Sequence, residues 1–325
     1  MQLRRRRFLF LTAGSAALTL SGTAMAQETY PSRPVRLIVG FTPGSASDVV
    51  GRFFAKGAES QLGQSVVVEN KPGAGSSIAA KYVARSAADG YTILLMALST
   101  LTNSITNPAL GVDILKEFSP IARLASGPYV LVVNKDVDVK NVADLIALAK
   151  AKPGQVLFGS VGAGSLPHLS AEMFAQRAGI KLTHVPYPGS PQVITDLMAG
   201  RITMAFENAI AVVGQVSAGK IRALATAADK RPSALPNVPT VAEEGIPNFD
   251  VSLWFGVMAP VGTPRPVIDK IAAAAHVAMH KPDTVEALRN EGFEPFDLGP
   301  DEFAPYIRSE IARWTEVARG AGMKT

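Results

Sequence analysis

The chain has 325 residues, 47% of them hydrophobic and 18% charged, with no cysteine. That composition supports a packed core along most of the length. It excludes a fibre, a disordered chain, disulfides, thiolate metal sites and cysteine nucleophiles. The formal charge of +5 is misleading, because Arg4–Arg7 supply four of the 32 basic residues while none of the 27 acidic residues precedes Glu28. From residue 27 onward the chain is close to neutral, so a nucleic-acid partner, which needs a basic footprint on the folded body, is not expected.

Residues 1–26 read as an export leader. Arg4–Arg7 form a basic start, Phe8 to Leu20 an apolar stretch, and Ala24-Met25-Ala26 a small-x-small cleavage site after Ala26. Thr12, Gly14, Ser15 and Thr19 dilute the apolar stretch, which is shorter than the ~20 residues a spanning helix needs. Arg5-Arg6-x-Phe8-Leu9 also fits a twin-arginine signal, so Sec and twin-arginine export both remain open.

From residue 35 a β-branched apolar run, a Gly/Pro/Ser loop and a helical period alternate, the rhythm of βα units. Strands are predicted at Val35–Val39, Val66–Glu69, Tyr91–Leu95, Tyr129–Val133, Val156–Gly159, Leu182–Val185, Ile202–Phe206, Ile221–Ala225 and Ser252–Met258. Helical stretches include Asp48–Gln61, Ala143–Lys150, His168–Arg177 and Pro191–Ala199. Runs apolar on both faces suit parallel strands covered by helices on both sides, hence doubly wound α/β sheets. In such sheets ligands bind outside the carboxyl ends of the strands.

Four of the loops that follow strands share a chemistry: Phe41–Asp48, Ala97–Asn103, Ser160–His168 and Pro186–Ser190 are rich in Gly, Ser and Thr and contain no Lys or Arg. Each leads to a helix N-terminus, where unpaired amides and the helix dipole favour an anion. One such loop alone would be turn chemistry. Four of one kind point to a small anionic or strongly polar solute held by neutral donors between two lobes.

Pro31-Ser32-Arg33-Pro34-Val35-Arg36-Leu37-Ile38-Val39, Phe41-x-Pro43-Gly44-x-x-x-Asp48 and Val68-Glu69-Asn70-Lys71-Pro72-Gly73-Ala74-Gly75 resemble the opening of the Bug/TctC receptors, the extracytoplasmic solute-binding proteins of tripartite tricarboxylate transporters. The resemblance continues through Ala88-Asp89-Gly90-Tyr91-Thr92, His184-Val185-Pro186-Tyr187, Asp196-Leu197-Met198-Ala199-Gly200, Leu235-Pro236-Asn237-Val238-Pro239-Thr240 and Ala259-Pro260-x-Gly262-Thr263-Pro264. It implies a periplasmic protein with a two-lobed, type II-like periplasmic-binding-protein (Venus-flytrap) fold whose lobes close on a carboxylate. It also implies membrane partners in a tripartite transporter. On that basis Tyr129–Val133 and Ser252–Met258 are the expected crossing strands, residues 27–126 and 253–325 the first lobe, and residues 127–252 the second.

Carried over position by position, the resemblance places the ligand loops on Phe41, Thr42, Pro43, Gly44, Ser45 and Asp48, on Ser99 and Thr100, on Ser160, Ala163, Gly164, Ser165 and His168, and on Tyr187, Gly189 and Ser190, with Glu207 beside them. Two positions depart from the family pattern. Ser45 follows Gly44 where a double Gly is usual, and Glu207 stands where Asp is common.

Several residues admit more than one role. Asp48 suits either a ligand ammonium or a helix N-cap. Glu207 suits selectivity or a solvated strand end, and His168 suits a ligand contact or a loop brace. Trp254 and Phe255 suit ring stacking on a ligand or hinge packing, with packing favoured. His276 and His280 share a helix face, but no Glu lies between them and no third ligand is apparent, so no metal is expected. A hydrolase using Ser165 and His168 lacks the G-x-S-x-G elbow. Dinucleotide fingerprints fail because Ile78 and Pro167 occupy the sixth positions after Gly73-x-Gly75 and Gly162-x-Gly164.

The expected function is solute binding by a monomer, without catalytic residues or cofactor. The ligand is a mono-, di- or tricarboxylate, an amino acid or an aromatic acid. A sensory binding protein and a secreted hydrolase are the alternatives.

Overall fold

The computed structural model describes residues 30–233 and 235–325. The leader expected over residues 1–26 lies outside them. In chain order the first elements are β1 (Val35–Val39), α1 (Ala46–Leu62), β2 (Val66–Asn70), α2 (Ser77–Ala84), β3 (Thr92–Ala97), α3 (Leu98–Thr106) and the single turn α4 (Ile114–Glu117). β1 pairs in parallel with β2 and β3, as short apolar strands joined by helical crossovers should. The long strand β4 (Phe118–Asn134) follows, then α5 (Val142–Ala151), β5 (Leu157–Ser160), α6 (Leu166–Ala178), β6 (Thr183–Pro186), α7 (Ser190–Met198), β7 (Met204–Asn208), α8 (Ala209–Ser217) and β8 (Ile221–Thr226). The chain returns through β9 (Ser252–Pro260) to α9 (Arg265–His280), α10 (Pro282–Asn290), β10 (Glu294–Leu298) and α11 (Pro300–Gly320). Among the described residues no helix is long and apolar enough to cross a membrane.

The strand order is β2-β1-β3-β9-β4-β7-β5-β6, with β10 and β8 also on β4. β4 belongs to both halves. From Phe118 to Pro128 it runs antiparallel to β9, and from Tyr129 to Asn134 it pairs with β7 and β8. The change of partner falls at Pro128, which has no N–H to give a ladder. There Ala227 N–H donates to Tyr129 C=O at 2.7 Å and Val251 N–H to Ala227 C=O at 2.7 Å, tying the outgoing and returning chain side by side. The result is the two-lobed α/β architecture of periplasmic binding proteins.

Every expected strand is present, most with ends moved by one to three residues. Tyr129–Val133 is only the second part of β4. The first part escaped the pattern because Ser119, Pro120, Arg123, Ser126, Gly127 and Pro128 interrupt it, and because register shifts at Pro120/Ala122 and Arg123/Ala125 put the apolar residues out of phase. β10 carries Pro295 and lies on the edge of its sheet, where a proline is tolerated.

Helix α1 begins at Ser45, whose hydroxyl accepts the Asp48 N–H, and ends at Gly63 in the left-handed conformation (φ +68°). It packs on α9 so closely that a Cβ on Gly57 would lie 2.8 Å from the Ala278 Cα. Backbone cannot yield there as a side-chain tip can. Gly57→Ala should therefore destabilise by about 1–3 kcal/mol, read as a lower denaturant midpoint at an unchanged slope; an unchanged midpoint would show that the two helices separate freely.

Candidate functional site

The carboxyl ends of the strands in both halves face a common cavity of about 510 Å³. The first half contributes Phe41, Ser45, Ala46 and Ser47 after β1, Gly75 after β2, and Ser99 and Asn103 on α3. The second contributes Val161, Ala163, Ser165, Leu166 and Pro167 after β5, Ser190 after β6 and Asn208 after β7. Tyr129, Leu253 and Phe255 close it at the crossing strands. No wall residue carries a charged side chain.

Helix ends supply the electrostatics instead. Wall residues stand at the N-termini of five helices: Ser45 on α1, Ser99 on α3, Ser165 on α6, Ser190 on α7 and Asn208 on α8. On α1 and α8 the cap side chain accepts a first-turn N–H. On α3, α6 and α7 no side chain caps the helix, which leaves first-turn amides to serve an anion.

Behind the wall, polar residues brace the loops. Asp48 is the N3 residue of α1, and the cap itself is Ser45. Its carboxylate is buried, which works against ionisation. The Arg52 guanidinium at 2.9 and 3.0 Å, the Gly44 N–H at 2.9 Å and the Asn70 amide at 3.0 Å outweigh this and hold it below the usual carboxylate range. Asn70 also donates to the Phe41 carbonyl, so the whole first loop hangs on this carboxylate. A ligand ammonium has no free face of Asp48 to meet.

His168 braces as well. Its Nδ1 accepts the Gly164 N–H at 3.0 Å, its ring stacks on His184 at 3.9 Å between centroids, and Phe158 continues the stack. Ser165 donates to the Gly162 carbonyl at 2.6 Å instead of to His168, so the two do not form a nucleophile–base pair. Ser160, fully buried, ties Gly162 to His184 Nε2 at 2.6 Å. Burial and the neighbouring His168 push His184 down to about 4, so it is neutral there.

Of the seventeen residues the sequence singled out, the cavity wall takes Phe41, Ser45, Ser99, Ala163, Ser165 and Ser190. Thr42, Pro43 and Gly44 form the exposed outer turn of the first loop, where Ser45 N–H returns to Thr42 C=O. Thr100 points into the core. Ser160, Gly164 and His168 support the second loop from behind. Tyr187 turns away to hydrogen-bond Asp196 at 2.9 Å, and Gly189 caps α7. Glu207 is not a solvated strand end: it is fully buried, and its Oε2 accepts the Ser190 hydroxyl at 2.7 Å.

Sequence reasoning missed Tyr129 and Leu253, which read simply as strand residues, and for Phe255 it favoured packing over the ligand contact it also allowed. It also missed Asn103, whose amide donates to the Ala74 and Gly75 carbonyls. Asn208 could have been found, being an N-cap type of residue two positions after the predicted strand Ile202–Phe206. Trp254 packs as expected, with Nε1 donating to Glu310 at 3.0 Å, whereas its neighbour Phe255 both packs on Phe293 and faces the cavity.

Residues 50–323 match the family model of the tripartite tricarboxylate transporter family receptors. The chain belongs to that family. It is 38% identical over 315 residues to BugT of Bordetella pertussis, covering 96% of this chain and 95% of BugT. An R. palustris protein solved with adipate superposes with a TM-score of 0.79 at 35% identity, over 91% of this chain and 99% of the other. MatC from Rhodopseudomonas palustris, with bound malate, gives a TM-score of 0.76 at 29% identity, over 89% and 99%. The family is one of periplasmic receptors, and the periplasmic binding protein BugD superposes with a TM-score of 0.76 at 30% identity, over 91% of this chain and 99% of the other.

Within this receptor Glu207 has no counter-charge, and burial pushes its carboxyl up from 4.5 to about 7, against the pull of the Ser190 hydroxyl and Asn208 N–H. A raised folded-state value means a contribution to stability that is complete below pH 4.5 and lost as pH rises towards 7. Relative to Glu207→Gln, the wild type should therefore lose on the order of 3 kcal/mol across that window and nothing further above it. Denaturant melts at a series of pH values check this; a pH-independent difference would contradict it.

Proposed function

We propose that the protein is a periplasmic receptor that captures a small carboxylate in the cavity between its lobes and delivers it to the membrane components of a tripartite transporter. The observation that carries this is the convergence of five helix N-termini, three without side-chain caps, on a wall that holds hydroxyls and amides but no charged group. A carboxylate is satisfied there by fixed dipoles and N–H donors. Without a cation to offset several charges, the wall suits a mono- or dicarboxylate, an amino acid or an aromatic acid better than a tricarboxylate. Relatives solved with adipate and malate support the same class.

The lobes are residues 27–126 with 253–325, and residues 127–252. They hinge where β4 changes partner and where Val251 returns to Ser252. Ligand bound to both lobes favours the closed arrangement by its higher affinity for it. On this reading the receptor acts as a monomer. No covalent step is involved.

Thermal shift against a panel of carboxylates tests the reading, since a ligand of the folded state alone raises the midpoint. For a stabilising carboxylate, Ser99→Ala should weaken binding about three- to tenfold, the worth of one hydrogen bond, while Thr42→Ala on the outer turn should leave affinity unchanged. No shift from any carboxylate, or equal affinity in both variants, would defeat the assignment.

A further inference from the structure

Glu207 ends β7 beneath the N-terminus of α7. Its Oε2 accepts the hydrogen of the Ser190 hydroxyl at 2.7 Å, and its Oε1 is buried without a partner. Ser190 itself is on the cavity wall. A serine hydroxyl has one hydrogen and two lone pairs. With the hydrogen committed to a carboxylate behind the wall, only lone pairs are left to face the solute.

We propose that Glu207 is a positioning residue that sets the specificity of the second lobe: by taking the Ser190 hydrogen it makes that wall position an acceptor, selecting carboxylates that carry a hydroxyl or ammonium donor at that end over those that carry a second carboxylate. This rests on the receptor reading above and names the solute class for the same cavity.

Beyond the Ser190 hydroxyl and the Asn208 N–H, no cationic side chain among the described residues relieves Glu207. On β4 Tyr129 pairs with Asn208, the residue after Glu207, and its phenol is held protonated by burial and by the nearby Glu207 charge. On α7, Asp196 is engaged by Tyr187 and Arg201. On β6, His184 is held by Ser160, and α8 carries no titratable side chain between Ala209 and Ser217. A second carboxylate at Ser190 would thus meet an uncompensated charge in a poorly solvated place. Burial pushes Glu207 up to about 7. Below that pH the protonated acid can donate to Ser190, and Ser190 can in turn donate to the solute. Affinity for a dicarboxylate therefore rises as pH falls through 7, while a hydroxy acid keeps its place without a proton.

Titration calorimetry tests this with butyrate, 4-hydroxybutyrate and succinate, and with their six-carbon counterparts hexanoate, 6-hydroxyhexanoate and adipate. At pH 8.5 the wild type should bind a hydroxy acid about tenfold more tightly than the dicarboxylate of equal length. The dicarboxylate should gain about tenfold or more on lowering the pH to 6.5, still above the range in which the ligands themselves are protonated. Glu207→Gln should still bind, with the ranking narrowed and the pH dependence lost. Ser190→Ala should lose the preference for the hydroxy acid. Binding with no ranking in the wild type, or with ranking and pH profile preserved in either variant, overturns this inference and leaves the receptor reading intact. Binding of none of the six acids overturns the carboxylate reading and this inference together.

Discussion

Strand β4 changes partner at Pro128, and the rest of the molecule is arranged around that change. For its first part β4 is a strand of one sheet, against β9; from Tyr129 it is a strand of the other, against β7 and β8. Because neighbouring sheets share one continuous backbone here, the carboxyl ends of both sets of parallel strands are brought to face each other. Backbone bonds among Tyr129, Ala227 and Val251 hold the returning chain beside the outgoing one. A narrow connection of this kind resists shear between the halves while allowing them to bend.

The cavity inherits its chemistry from that placement. Each crossover helix begins where its strand ends, so facing strand ends mean facing helix N-termini, and the wall offers helix amides without a single basic side chain. The charged residues near it work one layer back. Asp48 fixes the first loop through Gly44 and Asn70, the His168–His184–Phe158 stack fixes the second, and Glu207 fixes Ser190. Loops braced in this way keep their donors aimed in the absence of solute, which lowers the ordering cost of binding.

Much of this was legible in the sequence. The alternation of apolar runs with Gly/Ser/Thr loops revealed the βα units and marked four loops that line the cavity. Within those loops it could not say which side chains turn inward. Thr42 and Ser45 are chemically alike and three residues apart, yet one forms the exposed turn and the other caps α1 at the wall. Tyr187 looked like a natural wall residue, but Asp196, nine residues on, draws its hydroxyl outward. The first part of β4 was hidden by bulges, and Tyr129 and Leu253 by the fact that strand residues at a crossing point serve core and cavity alike. Such outcomes depend on contacts between residues distant in sequence, which periodicity does not record.

The most direct test of the central claim is native mass spectrometry of the exported protein purified without denaturation. The account predicts one small carboxylate per chain, released on denaturation and lost or depleted when the wall serines are replaced. A protein that emerges without bound solute, and that retains none after incubation with carboxylates of the size the cavity admits, would contradict it.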